Sequence, residues 1–187
     1  MHGSVLGFLR GCLADEEVAG ESVLEVGSGD VNGSPRTVLI PMGPRSYMGV
    51  DFAPGKGVDR VMDACRLDFP DEEFDIVVST EALEHIENWK GAIVEMKRVL
   101  AVGGLLIVTT RGPGFPHHGY PHDHWRFAVS DFYRIFMDMQ VDVLGQDPEA
   151  PGVFMRAEKR PNAGLFLGPI EVAKAPRDPA AESAGHD

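Results

Sequence analysis

The sequence holds only two cysteines, Cys12 and Cys65, in 187 residues, and they lack the paired spacing of a thiolate metal site or a disulfide framework. A disulfide-stapled scaffold is excluded, and a reduced, cytoplasmic setting is expected. Long apolar runs are missing too. None approaches the ~18 to 20 residues that cross a bilayer, and the first residues lack the basic region and apolar core of a signal peptide, so no membrane association is expected. Positive charge is scarce: 17 Lys and Arg face 29 Asp and Glu, for a formal net charge of -12. That balance opposes attraction to a phosphate backbone, and nucleic acid is not an expected partner. What remains is a composition 43% hydrophobic and 25% charged, enough for one real core, in a chain too short for a second large domain.

The most informative stretch is Ser22 to Gly33. Val23, Leu24 and Val26 make the apolar, partly β-branched run of an inner parallel strand, and Gly27, Gly29 and Gly33 supply backbone for a tight turn that a ligand can approach closely. Glu25 interrupts the apolar run. A carboxylate there costs several kcal/mol unless it finds partners, and contact with a ligand is one way to find them. Tyr47 to Asp51 forms a second strand ending in a carboxylate, placed to take both hydroxyls of an adenosine ribose. This layout suits any adenosine-containing cofactor, NAD included.

Taken in order, Ser4 to Leu13 has a helical apolar face and makes a leading helix, placed to cover the ligand site. Ser34 to Ile40 starts a helix that Pro41 and Pro44 cut to about two turns. A third strand is expected over Val58 to Met62. The six residues between it and Asp51, with one Pro and two Gly, are too few for the usual crossover helix, which leaves one sheet face thinly covered. Phe74 to Ser79 is a fourth strand, Glu81 to Ile86 a helix start, and Asn88 caps a second helix through Leu100. Leu105 to Thr110 is a fifth strand. A loop of Gly, Pro, His and aromatics follows over Arg111 to Phe127, then a helix near Ser130 to Met137. Val141 to Leu144 and Val153 to Ala157 are expected as an antiparallel pair. Residues 1–160 are expected to form one domain and the Pro/Ala-rich residues 161–187 a disordered tail, with Leu165 to Leu167 as its apolar docking point.

This order resembles the class I S-adenosylmethionine-dependent methyltransferases, in particular the type 11 group, over roughly Ser22 to Lys159. Glu25-Val-Gly-Ser-Gly is similar to that family's first motif, Asp51 to its ribose-binding acid, and Asp63-Ala64 to its adenine-holding loop. Phe74-Asp-Ile-Val-Val-Ser with Glu81-Ala-Leu-Glu-His-Ile, then Met96 to Thr109, matches its fourth strand, helix and fifth strand. The resemblance implies a Rossmann-like, mostly parallel sheet with an antiparallel C-terminal strand, and S-adenosylmethionine as cofactor. It implies cofactor contacts at Glu25, Gly27, Ser28, Gly29, Asp51, Phe52, Asp63, Ala64 and Thr80. Two departures stand out: Val31 occupies the third-glycine position, and the helix between strands two and three is reduced to Pro54-Gly-Lys-Gly57. A bare sheet face invites a second copy of the chain, so a homodimer is expected. An acid so close before the turn would repel a pyrophosphate, which disfavours a nicotinamide-dependent enzyme.

The loop after the fifth strand lies on the carboxyl edge where ligands bind in open α/β sheets. His122, His124 and His85 are the candidate catalytic groups, and Tyr120, Trp125 and Arg126 are candidates to hold the acceptor or to seat the loop. Glu81, Glu84 and His85 with His122 or His124 resemble the metal site of small-RNA 2'-O-methyltransferases and, more loosely, of ubiquinone-pathway O-methyltransferases. Against this stands a structural role, Glu84-His85 capping and packing the helix, and the reading adopted has no metal. The expected activity is methyl transfer to oxygen or nitrogen of a small molecule or sugar-bearing metabolite. The alternative is a non-catalytic cofactor-binding module acting through a partner.

Overall fold

The structure is a computed structural model that describes residues 3–119, 122–161, 163 and 169–178. Seven strands, the glycine-rich one among them, form one sheet of order β3-β2-β1-β4-β5-β8-β7. They are β1 (Ser22–Val26), β2 (Ser46–Asp51), β3 (Arg60–Val61), β4 (Phe74–Thr80), β5 (Leu100–Arg111), β7 (Gln140–Gln146) and β8 (Gly152–Glu158). Strands β1 to β5 are mutually parallel, and β8 is antiparallel to both β5 and β7. The sheet is thus the expected Rossmann-like one.

Alternation along the strands builds two cores. Leu24, Val26, Val50, Val77, Leu106 and Val108 face α4 (Trp89–Val99) and α5 (Val129–Ile135), meeting Ile93, Met96 and Phe132. Val23, Ile76, Val78, Leu105 and Ile107 face the other way, against Leu9 and Cys12 of α1 (Gly3–Cys12) and Val38 and Leu39 of α3 (Arg36–Leu39). The short α2 (Asp15–Val18) links α1 to β1. The leading helix packs on α3 and β8, with Phe8 stacked on Phe154 at 4.8 Å between ring centroids. Asn88 caps α4 as expected, its side chain accepting from the Gly91 N–H.

Three expectations need correction. The third strand is only Arg60–Val61, because Gly57, at φ +86°, turns the chain inward and Asp59 bonds to Gly49 through both its N–H and its carboxylate. No helix begins at Glu81. That residue has φ +53°, donates its N–H to the Thr109 carbonyl as an extension of the ladder, and leaves only a 3-10 turn at Leu83–His85. Finally, residues 169–178 are not a loose tail. Ala173–Lys174 forms β9, paired antiparallel with β6 (Trp125–Arg126), and Ile170 is buried in the main core. An apolar Ile170 and Val172 give this stretch something to bury, which the surrounding Pro and Ala do not. Leu165 to Leu167 lies outside the described residues.

Candidate functional site

The turn after β1 is fixed by backbone chemistry that few residues permit. Gly27 has φ +82°, and a Cβ on it would lie 2.4 Å from the Ala82 Cβ. The N–H groups of Gly27 and Ser28 both donate to the Val50 carbonyl, which clamps the turn to the end of β2. The Ser28 hydroxyl is buried with no hydrogen-bond partner among the described residues. The departure Asp30-Val31-Asn32-Gly33 closes on itself: Asp30 accepts from the Gly33 N–H at 2.9 Å and pairs with Lys56 at 2.6 Å. Both contacts hold the Asp30 carboxyl below its usual range, the Lys56 bond foremost.

Asp51 stands across the turn. One carboxylate oxygen accepts from the Gly29 N–H at 2.9 Å, and the other has only a long contact, 3.4 Å, from the Ala53 N–H. That second oxygen retains the capacity to accept from a hydroxyl. Phe52 beside it is 63% exposed, an apolar ring available to a flat aromatic base. Asp63 is exposed and accepts from the Cys65 N–H at 2.8 Å, with Ala64 half-buried next to it. Thr80, at the carboxyl end of β4, is buried and paired with Thr109.

Glu25 is placed differently from expectation. Its side chain shares the sheet face of Val23, beneath α3, where it accepts from the Tyr47 hydroxyl at 2.7 Å and lies 4.0 Å from Arg36. Burial pushes its carboxyl up to about 7, against the lowering effect of Tyr47 and Arg36. The chain itself supplies two partners, which offset part of the cost of burying this acid.

On the far side of the turn, beyond β4 and β5, acids and imidazoles gather. Glu84 is fully buried; one oxygen accepts from the Thr110 hydroxyl at 2.8 Å, and the other has no hydrogen-bond partner among the described residues. It faces His118 Nε2 at 3.7 Å and His85 Nε2 at 4.0 Å. Burial opposes the charge, but His118, His85 and Thr110 outweigh it and hold the carboxyl below its usual range. Glu81 accepts from the Thr109 hydroxyl at 2.8 Å and forms an ion pair with Arg111, which also reaches Asp147 at 3.3 Å. Burial first and the Glu84 charge second push the Glu81 carboxyl up to about 7.

The loop from Arg111 to Phe127 is held by its own side chains. Arg126 is buried, meets Asp123 through two nitrogens at 2.5 and 2.6 Å, and donates to the carbonyls of Phe115, Pro116 and Trp125. Trp125 donates its indole N–H to the carbonyls of Ile86 and Glu87, both at 3.1 Å. These two residues seat the loop on the core, the second of the roles considered for them. Tyr120 lies outside the described residues. Of the three candidate histidines, His85 sits in the cluster. His122 and His124 enter through main chain: the His122 carbonyl lies 2.5 Å from His85 Nδ1, and the His124 N–H donates to the Glu84 carbonyl. Their rings lie 5.7 Å apart. His118, which the sequence did not single out, takes the place expected of His122.

The donor set fits a cationic adenosine cofactor. Backbone at Gly27 and Gly29, the second oxygen of Asp51 with its one long contact, and the exposed Phe52 ring lie on one edge with the buried Glu84 beyond them, an arrangement that suits a sulfonium better than a pyrophosphate. Comparison with known proteins agrees. Residues 24–108 match the model of a family described as "Methyltransferase domain". The demethylmenaquinone methyltransferase of Tropheryma whipplei (strain Twist) is 29% identical over 132 residues, covering 64% of this chain and 49% of that protein. The chain spans about half the length of the curated relatives it matches. Among solved structures, an S-adenosylmethionine-dependent methyltransferase from Mesorhizobium loti aligns with TM-score 0.66 at 16% identity, covering 84% of this chain and 98% of that one. The 1,6-didemethyltoxoflavin-N1-methyltransferase of Burkholderia thailandensis, solved with its acceptor and S-adenosylhomocysteine, aligns with TM-score 0.65 at 14% identity, over 84% of this chain and 79% of that one. The sheet order, the glycine turn and the match over residues 24–108 agree in making this chain similar to the S-adenosylmethionine-dependent methyltransferases.

Proposed function

We propose that the chain transfers a methyl group from S-adenosylmethionine to an oxygen or nitrogen of a small molecule bound beneath the loop of residues 111–127. The observation that carries this is the Gly27–Gly29 turn with Asp51, facing the Glu81, Glu84, His85 and His118 cluster along one sheet edge. Bound there, the cofactor supplies an electrophilic methyl on sulfur; the acceptor's lone pair forms the new bond as the C–S bond breaks, and S-adenosylhomocysteine leaves. Asp51 holds the ribose, with Phe52 and Ala64 beside the base. Buried acids at Glu81 and Glu84 favour the positive sulfonium over the neutral product. Glu81 and His85 are the groups placed to take the acceptor's proton.

The named relatives are a demethylmenaquinone methyltransferase and a 1,6-didemethyltoxoflavin-N1-methyltransferase, which supports a small-molecule acceptor. A homodimer through the β2–β3 edge is part of this reading, supported by the exposed Val61 there. Release of S-adenosylhomocysteine, followed by mass spectrometry over a panel of phenols, quinols and N-heterocycles, tests the activity. Turnover of one of these classes is expected. Cofactor binding without turnover across the panel would favour a non-catalytic module instead.

A further inference from the structure

A cavity of about 440 Å³ lies between the loop after β5 and the returning segment 173–176, within the ~300 to 1,000 Å³ of small-molecule sites. Pro113, Phe115 and Pro116 form one wall, and Ala173, Lys174 and Pro176 form the other. The walls are tied at three places. β6 pairs with β9, the Ala175 N–H donates to the His124 carbonyl at 2.8 Å, and His117 Nδ1 lies 3.1 Å from the Pro176 carbonyl. The Phe115 ring is held as well, with the Arg111 and Arg126 guanidiniums 4.5 and 5.8 Å from its centroid.

The chemistry of these walls is one-sided. Proline has no N–H, so Pro113, Pro116 and Pro176 offer a ligand apolar rings and no backbone donor. The carbonyls of Phe115 and Pro116 already accept from Arg126, and that of Pro176 faces His117. Arg126 also lines the cavity, but Asp123 pairs with its guanidinium through both carboxylate oxygens and offsets its charge. Lys174 is different. It is exposed, and its ammonium has no hydrogen-bond or ion-pair partner among the described residues. Among those residues no acid lines the cavity. An apolar trough thus ends at one uncompensated positive charge, in a chain whose net charge is -12.

We propose that this cavity binds a small amphiphilic carboxylate, its aryl or alkyl body against the prolines and Phe115 and its charge at Lys174. A neutral polar molecule finds few free partners on such walls, and a cation meets Lys174 with no acid to offset it. The Phe115 ring also meets the His118 ring edge-on, 4.9 Å between centroids, so the cavity adjoins the acid and imidazole cluster through one side chain. On the methyl-transfer reading, on which this last step rests, the carboxylate belongs to the acceptor. It marks the end remote from the oxygen or nitrogen that is methylated.

The test titrates the full chain by calorimetry, without cofactor, with 2-naphthoate and with 2-naphthalenemethanol, which has the same body and no charge. One equivalent of the carboxylate is expected to bind, about fivefold or more tighter than the alcohol. Lys174→Glu replaces an attraction with a repulsion and should weaken the carboxylate about tenfold, whereas Lys174→Arg should change it less than about threefold. Ala173→Trp fills the trough from an exposed strand position and should abolish binding, with folding checked by circular dichroism. Absence of a stoichiometric site, equal affinity for the alcohol, or full affinity in Lys174→Glu or Ala173→Trp overturns the proposal. A separate titration with S-adenosylhomocysteine reports on the cofactor site, so failure of one reading is distinguishable from failure of the other.

Discussion

Gly27→Ala should be among the most damaging single methyl groups that can be added to this chain. Two costs add. A residue with a side chain at φ +82° occupies the left-handed region, at roughly 1 to 2 kcal/mol. Its Cβ would also lie 2.4 Å from the Ala82 Cβ, far inside ordinary contact, and such overpacking costs about 1 to 3 kcal/mol. The sum, about 2 to 5 kcal/mol, is a large share of a stability of ~5 to 15 kcal/mol. For a domain this size it lowers Tm by about 5 to 15 °C. Thermal unfolding followed by circular dichroism measures the loss. The second substitution Ala82→Gly removes the atom that is struck, so the double variant should recover the packing part and keep the conformational part. A Gly27→Ala protein that melts within a degree or two of the wild type refutes the argument, as does a double variant with no recovery.

Other consequences follow from the same geometry. Glu25 has a folded-state pKa of about 7 against 4.5 for the free side chain, so the folded state holds the extra proton between these values. Stability should therefore be penalised as pH rises from about 4.5 to 7, by on the order of 3 kcal/mol from this residue, and the penalty is complete above 7. Glu25→Gln should flatten that slope in chemical unfolding, and curves that run parallel over this range would contradict it. Arg126→Ala leaves Asp123 buried beside empty space and should cost about 3 to 5 kcal/mol, read as lowered urea midpoint and faster proteolysis within residues 111–127. Sedimentation of dilute protein tests the homodimer, which Val61→Lys at the exposed edge strand should weaken; a purely monomeric wild type removes it.

The sheet was legible because its signals are periodic and local. Alternation from Val23 to Val26 and from Ile76 to Val78 identifies strands buried on both faces, and Asn88 announces α4. The Gly27–Gly29 turn and Asp51 were legible as well, since glycine and a strand-terminal acid each have a specific physical use there. The partners of Glu25 were not legible, because Tyr47 and Arg36, which surround it, lie 22 and 11 residues away in sequence. The histidine loop has no period to read. Its path depends on Asp123 and Arg126 gripping its carbonyls and on Ala173–Lys174 returning to pair with it, contacts that no local pattern encodes. The i, i+3 pair Asp123 and Arg126 was the one available hint that His118, rather than His122, would be drawn inward.

The central claim is a cofactor site formed by the glycine turn and Asp51, and calorimetric titration with S-adenosylhomocysteine tests it most directly. One site per chain is expected in the wild type, and Asp51→Ala should weaken it about tenfold or more by removing both the ribose acceptor and the bond that holds Gly29. Binding of NAD in preference to S-adenosylhomocysteine, or equal affinity in Asp51→Ala, would contradict the account.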